Sequence, residues 1–156
     1  MYLRKYCQAD CQEIITLFQE TVYKVNSQDY TKAQCDAWTS GCQDLTRWHR
    51  ILQKHDSVVV IEDEKIIGFG DIDETGYLDH LYIHHEYQRQ KVATLICNYL
   101  ERHASKITTH ASITARPFFE KRGYQVAYQQ QICKAGQWMS NYVMIKTRKE
   151  DDDHEK

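Results

Sequence analysis

Residues 88–93 read Gln-Arg-Gln-Lys-Val-Ala, and they stand where a β-prone stretch, Leu81-Tyr82-Ile83, gives way through two histidines to an amphipathic helix. A strand that enters a helix through a polar turn leaves several backbone N–H groups without partners, with the positive end of the helix dipole behind them. Arg89 and Lys91 add positive charge at the same point, and Gln88 and Gln90 bring amide donors. Such a corner suits a diphosphate held by main-chain amides and assisted by side-chain charge.

The other reactive residue types read more plainly. The six cysteines, Cys7, Cys11, Cys35, Cys42, Cys97 and Cys133, contain no C-x-x-C pair and no metal-knuckle spacing, so reduced thiols are expected. In "DHLYIHHE", His80 and His84 lie four apart along a strand. That spacing brings two ligands to one ion on a helix but not on an extended chain, and no metal site is expected.

The elements that position the corner follow from periodicity. Residues 2–6 alternate and suit a first strand. Asp10 is placed as the N-cap of a first helix, with Glu13 three residues on and Ile14, Leu17, Phe18, Val22 and Val25 at helical spacing. Thr31 and Gln34 make a second capping box before a short helix carrying Ala37 and Trp38, and Leu45, Trp48 and Leu52 share one face of a third. From residue 57 the chain turns to β-branched runs broken at Asp63-Glu64 and Thr75-Gly76, which predicts an antiparallel meander over 57–62, 65–73 and 77–83.

The next helix carries Val92, Leu95, Ile96, Tyr99, Leu100 and His103 as one apolar stripe. A strand at "KITTHAS" then returns parallel to its neighbour by a right-handed crossover. Thr114 is placed as the cap of "ARPFFEKRG", with Pro117 in its first turn and Gly123 at its end, and strands 124–132 and 138–147 close a hairpin around "KAGQ". The sum is one α+β domain over residues 1–147, a central mixed but mostly antiparallel sheet of about seven strands flanked by helices. Residues 148–156 are read as a charged, disordered tail.

With 156 residues, 42% of them apolar and 27% charged, the composition is globular, and a formal net charge of -2 gives no reason to expect nucleic acid or an anionic membrane as partner. No apolar run reaches a membrane span and the N-terminus lacks signal-peptide organisation, so a cytoplasmic protein is expected.

The run at 88–93 resembles the Q/R-x-x-G-x-G/A acyl-CoA loop of the GNAT superfamily, the acetyl-CoA-dependent N-acetyltransferases. "LDHLYIHHEY" is similar to that family's fourth strand, and "ASITARPFFEKRGY" resembles its later signature of a strand end, an alanine, two aromatics, Glu-Lys and Gly-aromatic. With the order β-α-α-β-β-β-α-β-α-β-β, the resemblance covers about residues 1–147. It implies an N-acetyltransferase that moves an acetyl group from acetyl-CoA to a primary amine of a small molecule or protein, by direct attack in a ternary complex. A homodimer is the one assembly considered, and the amine is unspecified.

By the same resemblance, the main chain of Leu81, Tyr82 and Ile83 pairs with the pantetheine arm in a gap between splayed strands, an N–H near Ile83 meets the acetyl oxygen, and the amides of Arg89 through Thr94 (Arg89, Gln90, Lys91, Val92, Ala93, Thr94), after Gln88, cradle the pyrophosphate. Ser112 matches a position that is often asparagine near that arm. Two departures stand out. Lys91 replaces a glycine of the loop, and Phe119 stands where many members have a tyrosine that protonates the departing thiolate. Together they raise an alternative, a catalytically impaired acyl-CoA-binding module on the same scaffold. Because the amine must be neutral to attack, a base is needed; Asp79 is the first choice, with His110 and His80 as other candidates on neighbouring strands. Tyr30, Trp38 and Trp48 either wall an acceptor pocket or fill the core.

Overall fold

Val58, Val59, Val60 and Ile61 are consecutive and all buried, as in a strand covered on both faces. In the computed structural model, which describes residues 1–148, that strand lies inside a seven-stranded sheet. The strands are β1 (Tyr2–Lys5), β2 (Asp56–Glu62), β3 (Lys65–Ile72), β4 (Tyr77–Ile83), β5 (Lys106–Ser112), β6 (Gln125–Lys134) and β7 (Gln137–Thr147). Their order is β1-β2-β3-β4-β5-β7-β6, antiparallel throughout except for β4 against β5. The α+β class and the mixed sheet expected from the sequence are therefore present. Three helices, α1 (Cys11–Lys24), α2 (Lys32–Trp38) and α3 (Leu45–Lys54), cover one face, and α4 (Val92–Leu100) and α5 (Arg116–Lys121) the other.

The alternation of β2 divides the core accordingly. Val59 and Ile61 join Ile14, Phe18, Trp48 and Leu52 under α1 and α3, while Val58 and Val60 join Ile96, Leu100 and Ile107 under α4. α4 lies directly on the β3 backbone: a Cβ on Gly70 would come 2.8 Å from Ile96 Cγ2 and 3.0 Å from the His80 carbonyl. The face of α4 turned to the sheet is Val92, Ile96, Cys97 and Leu100, whereas Leu95 and His103 of the expected stripe are exposed.

Several caps differ from expectation. Asp10 does not cap α1; its carboxylate takes two hydrogen bonds from Arg4, at 2.8 and 2.9 Å, and one from the Cys7 amide. Glu13 instead accepts from the amide of Ile66. The Thr31–Gln34 box forms as expected, with reciprocal bonds of 3.1 and 2.8 Å. Thr114 does not cap α5, because its hydroxyl donates to Asp29; Ser112 Oγ accepts from the Ala115 amide in its place. Arg148, placed in the tail by composition, donates from its amide to Ser105 at 2.7 Å. The remainder of that expected tail, 149–156, lies outside the described residues.

Two features of β4 shape everything that follows. Asp71 pairs with His80 and Ile72 with Leu78, so Asp79 is an extra residue, a bulge in the ladder. On its other edge β4 meets β5 only at Tyr77–Thr108 and Leu78–Thr109, after which the strands separate. The paired end is pinned by Gly76, whose φ is 91° and where an added Cβ would fall 2.3 Å from the Lys106 carbonyl oxygen, so no side chain fits.

Candidate active site

Beyond Leu78 the separation of β4 from β5 leaves β4 with one unpaired edge. In an antiparallel ladder, residues alternate between bonding the partner strand and pointing away from it. His84 donates to Ile67, so Tyr82 bonds Phe69 in the same phase, and the N–H groups of Leu81 and Ile83 face the gap. Tyr82 therefore differs from its two neighbours: its main chain belongs to β3, and its ring sits against Phe18 at 4.8 Å on the α1 side. The Ile83 carbonyl is already taken by Gln88 Nε2 at 2.7 Å and Thr21 Oγ1 at 3.2 Å.

The corner after β4 presents open main-chain amides. Among the described residues, the amides of Val92, Ala93 and Thr94 find no acceptor, and no side chain caps α4. Arg89 and Lys91 both adopt left-handed backbone, with φ of 63° and 66°. A lysine there costs roughly 1–2 kcal/mol relative to a residue without a Cβ. Its side chain is exposed, and the residue lines the cavity beside the amides. The expected donation by Gln88 and Gln90 to a phosphate does not match their geometry, since Gln88 bonds Ile83 and Gln90 Nε2 points to the Glu86 carbonyl at 3.4 Å. Both close the loop on itself.

A cavity of about 690 Å³ runs from this corner, past Ala93 and Phe119, along the gap between Leu81 and Ala111, and ends among Phe18, Tyr30, Trp38, Trp48 and Met139. Asp79 and His80 line it midway. Behind His80 lies a feature absent from the sequence reading. Asp71, fully buried on β3, accepts from His80 Nδ1 at 2.8 Å, from the His80 amide at 3.0 Å and from His55 Nδ1 at 2.7 Å. Asp79 Oδ2 stands 3.7 Å from His80 Nδ1 and 4.0 Å from His55 Nδ1.

These contacts set the protonation states. Burial opposes charge on His80, but Asp71 at hydrogen-bond distance, helped by Asp79, raises its pKa above the usual histidine value. His55 is raised by its bond to Asp71. Burial also works against ionising Asp71, yet the two histidines hold its pKa below the ordinary carboxylate value. Asp79 goes the other way: burial, with Asp71 adding repulsion, pushes it up. Since Nδ1 of His80 is held by Asp71, Nε2 is left without a protein partner among the described residues.

Of the other expected residues, His110 lines the cavity but stands apart from this array, edge-on to Tyr77 at 5.1 Å. Ser112 lines the gap and is tied to Asn26 and Ala115. Phe119 is buried against Tyr124, whose hydroxyl donates to Glu101 at 2.7 Å and does not line the cavity. Cys97 is buried in α4 with its thiol pushed up to about 12, which disqualifies it as a nucleophile. Tyr30 and Trp48 are buried, Trp38 is partly buried, and all three line the cavity.

Two groups of ligand-type side chains converge, His55 with Asp71 and Asp79, and Glu20 with His84 and His85. In the first, the histidine nitrogen already donates to Asp71; in the second, His84 Nδ1 accepts from the Glu86 amide, which leaves its proton on the other nitrogen.

Residues 26–146 match the family of the acetyltransferase (GNAT) domain. The chain belongs to the GNAT acetyltransferases. It is 35% identical over 142 residues to YafP, an uncharacterised N-acetyltransferase of Escherichia coli K12, covering 91% of this chain and 93% of that protein. Its fold superposes with a TM-score of 0.89, at 27% identity and 94% coverage of both chains, on a GCN5-related N-acetyltransferase from Rhodopseudomonas palustris. A more distant GNAT fold, YncA of Salmonella typhimurium in complex with acetyl-CoA, superposes with a TM-score of 0.64 at 16% identity, over 96% of this chain and 94% of that one. As a GNAT enzyme the chain is an acyltransferase, and among its described residues no helix is long and apolar enough to cross a membrane.

Proposed function

We propose that this acyltransferase moves an acetyl group from acetyl-CoA to a primary amine by direct attack in a ternary complex, with His80 receiving the amine's proton and Asp71 orienting His80. The observation that carries the reading is the continuous cavity, which joins an anion-binding corner to an aromatic chamber and has His80 on its wall between them.

The residues present fit the donor. Three open amides at Val92, Ala93 and Thr94, with Arg89 and Lys91 beside them, suit its diphosphate. The outward N–H groups of Leu81 and Ile83 suit a pantetheine amide and the thioester oxygen. Acetyl-CoA supplies an acyl group activated by a thiol that leaves readily. Relatives of this fold bind CoA or acetyl-CoA, as YncA and a PaiA N-acetyltransferase from Thermoplasma acidophilum do.

On the acceptor side, an ammonium is drawn by Asp79 and must lose a proton before it attacks. His80 is built to take it: Asp71 fixes the Nδ1–H tautomer and stabilises the cation that forms, leaving the Nε2 lone pair as acceptor. Across the reaction one C–N bond forms and one C–S bond breaks. Of the two protons the ammonium gives up, one leaves through His80 and the other ends on the released thiol. Phe119 contributes no proton, and Tyr124, engaged with Glu101, is not recruited.

Incubation with acetyl-CoA and primary amines should release thiol, and His80→Gln should abolish release while leaving CoA binding by calorimetry intact. Full turnover in that variant removes His80 as the base; CoA binding without any turnover in the unaltered chain removes the enzymatic reading.

A further inference from the structure

The acceptor end of the cavity carries information about the amine itself, given the transfer proposed above. Its walls are Phe18, Tyr30, Trp38, Trp48 and Met139, and the rings pack in fixed edge-on pairs: Phe18 with Trp48 at 5.1 Å, and Tyr30 with Trp38 at 5.1 Å. Tyr30 is locked at its far end, where its hydroxyl accepts from the Ile113 amide at 2.9 Å and donates to the Ser140 carbonyl at 2.7 Å. These rings offer a flat apolar body a fitted wall, while Asn26, Ser140 and Asn141 line the same cavity, with Asn141 Oδ1 buried and unpartnered among the described residues.

The charges are arranged in the opposite sense at the two ends of this chamber. At its inner end Asp79 and His80 make one place for one ammonium. The wall also holds Arg47 and Lys134, and among the described residues neither side chain forms an ion pair, although the Arg47 amide donates to Asp44; the Lys134 ammonium donates to the Trp38 carbonyl, at 3.3 Å. Lys134 also acts on His80 as a like charge. A polyamine, an aminoglycoside or a lysine-rich peptide would bring a second cation against these two.

We propose that the acceptor is a monoamine carried on an aromatic body, of the arylalkylamine type, selected by the aromatic wall for its ring and by Arg47 and Lys134 against any second positive charge.

The test uses the full chain with saturating acetyl-CoA and thiol release as readout, and compares tryptamine and 2-phenylethylamine with spermidine, kanamycin and a lysine peptide. The aromatic monoamines should exceed the polycations in kcat/KM by about tenfold or more. Trp38 is partly exposed, so Trp38→Ala should fold; it should raise KM for 2-phenylethylamine several-fold and leave KM for acetyl-CoA unchanged. Lys134→Glu, on an exposed hairpin, should improve spermidine relative to 2-phenylethylamine. Turnover confined to polar or polycationic amines, or an unchanged KM in Trp38→Ala, overturns this assignment while leaving the transferase reading in place. Absence of thiol release with every amine, including simple aliphatic ones, overturns both.

Discussion

Asp71 and Glu101 are the most deeply buried carboxylates among the described residues, and they are handled in different ways. Glu101, at the end of α4, accepts from Arg122 at 2.7 and 3.0 Å, from Lys146 at 3.0 Å and from the Tyr124 hydroxyl at 2.7 Å. Asp71, beside the cavity, is matched only by the two histidines His55 and His80. Burial opposes charge on both acids, and in both the partners prevail, so both pKa values lie below the ordinary range. The difference is in what can titrate. Arginine and lysine keep their charge across the neutral range, which makes the Glu101 cluster a permanent tie between α4, α5 and β7. Histidines change charge there, which makes the Asp71 array able to take up and release a proton.

Exchanging the two acids for their amides is the strongest way to break this contrast. Asp71→Asn should cut turnover by roughly 10² to 10⁴-fold, the range for loss of acid–base assistance, with most of the fold's stability kept. Glu101→Gln should do the reverse, costing about 3 kcal/mol in denaturant titration, because the half-buried Arg122 and Lys146 lose their acid, while the folded fraction retains its activity. A stability loss from Asp71→Asn as large as that from Glu101→Gln, with no effect on rate, would make the two clusters equivalent.

The two clusters also respond differently to pH. His55 and His80 have folded pKa values above the unfolded one, so their contribution to stability is complete below about pH 6.5 and is lost as pH rises through the folded values. Asp71 and Glu101, with depressed values, contribute fully above the unfolded carboxylate range and lose that contribution only as pH falls through their folded values. Thermal unfolding between pH 6 and 9 should therefore report on the histidine array and not on Glu101. The rate should rise with pH as His80 loses its proton. His55→Gln, which leaves Asp71 to His80 alone, should move that rise to higher pH, and Asp71→Asn should move it to lower pH. Shifts in the same direction in both variants would contradict the sharing of one acid.

The smallest effect concerns the corner itself. Lys91→Gly should stabilise the fold by about 1 kcal/mol through relief of the left-handed backbone, and should weaken CoA binding by about 1 kcal/mol, most visibly at low salt. Tighter binding instead would mean that the lysine obstructs the diphosphate.

How much of this was legible beforehand varies with how local the feature is. The run into 88–93 revealed its corner because the strand, turn and helix are adjacent in the chain, and the same holds for the Thr31–Gln34 cap. The left-handed backbone at Lys91 was not read, since the sequence places lysine where glycine would have announced it. Asp71 was overlooked because it reads as one polar residue in "GFGDI"; only the register of β3 on β4 and the return of the chain after α3 bring His80 and His55 to it. An acid inside an otherwise buried strand was the available signal. Asp79 was chosen for its place near the central strand, but the bulge that turns it into the cavity is a property of the pairing and has no mark in the local sequence. Arg122, Tyr124 and Lys146 converge on Glu101 from separate elements, so their meeting was equally invisible.

The aromatic chamber is stitched together across the whole chain: Gln34 Nε2 reaches the Trp138 carbonyl at 2.8 Å over a separation of 104 residues, and Lys134 reaches Trp38 over 96. The donor corner, by contrast, is written in one short continuous segment. Substitutions in the hairpin of β6 and β7 can thus reshape one wall of the aromatic chamber and leave the loop at residues 88–94 untouched, so the two ends of the cavity are free to change independently.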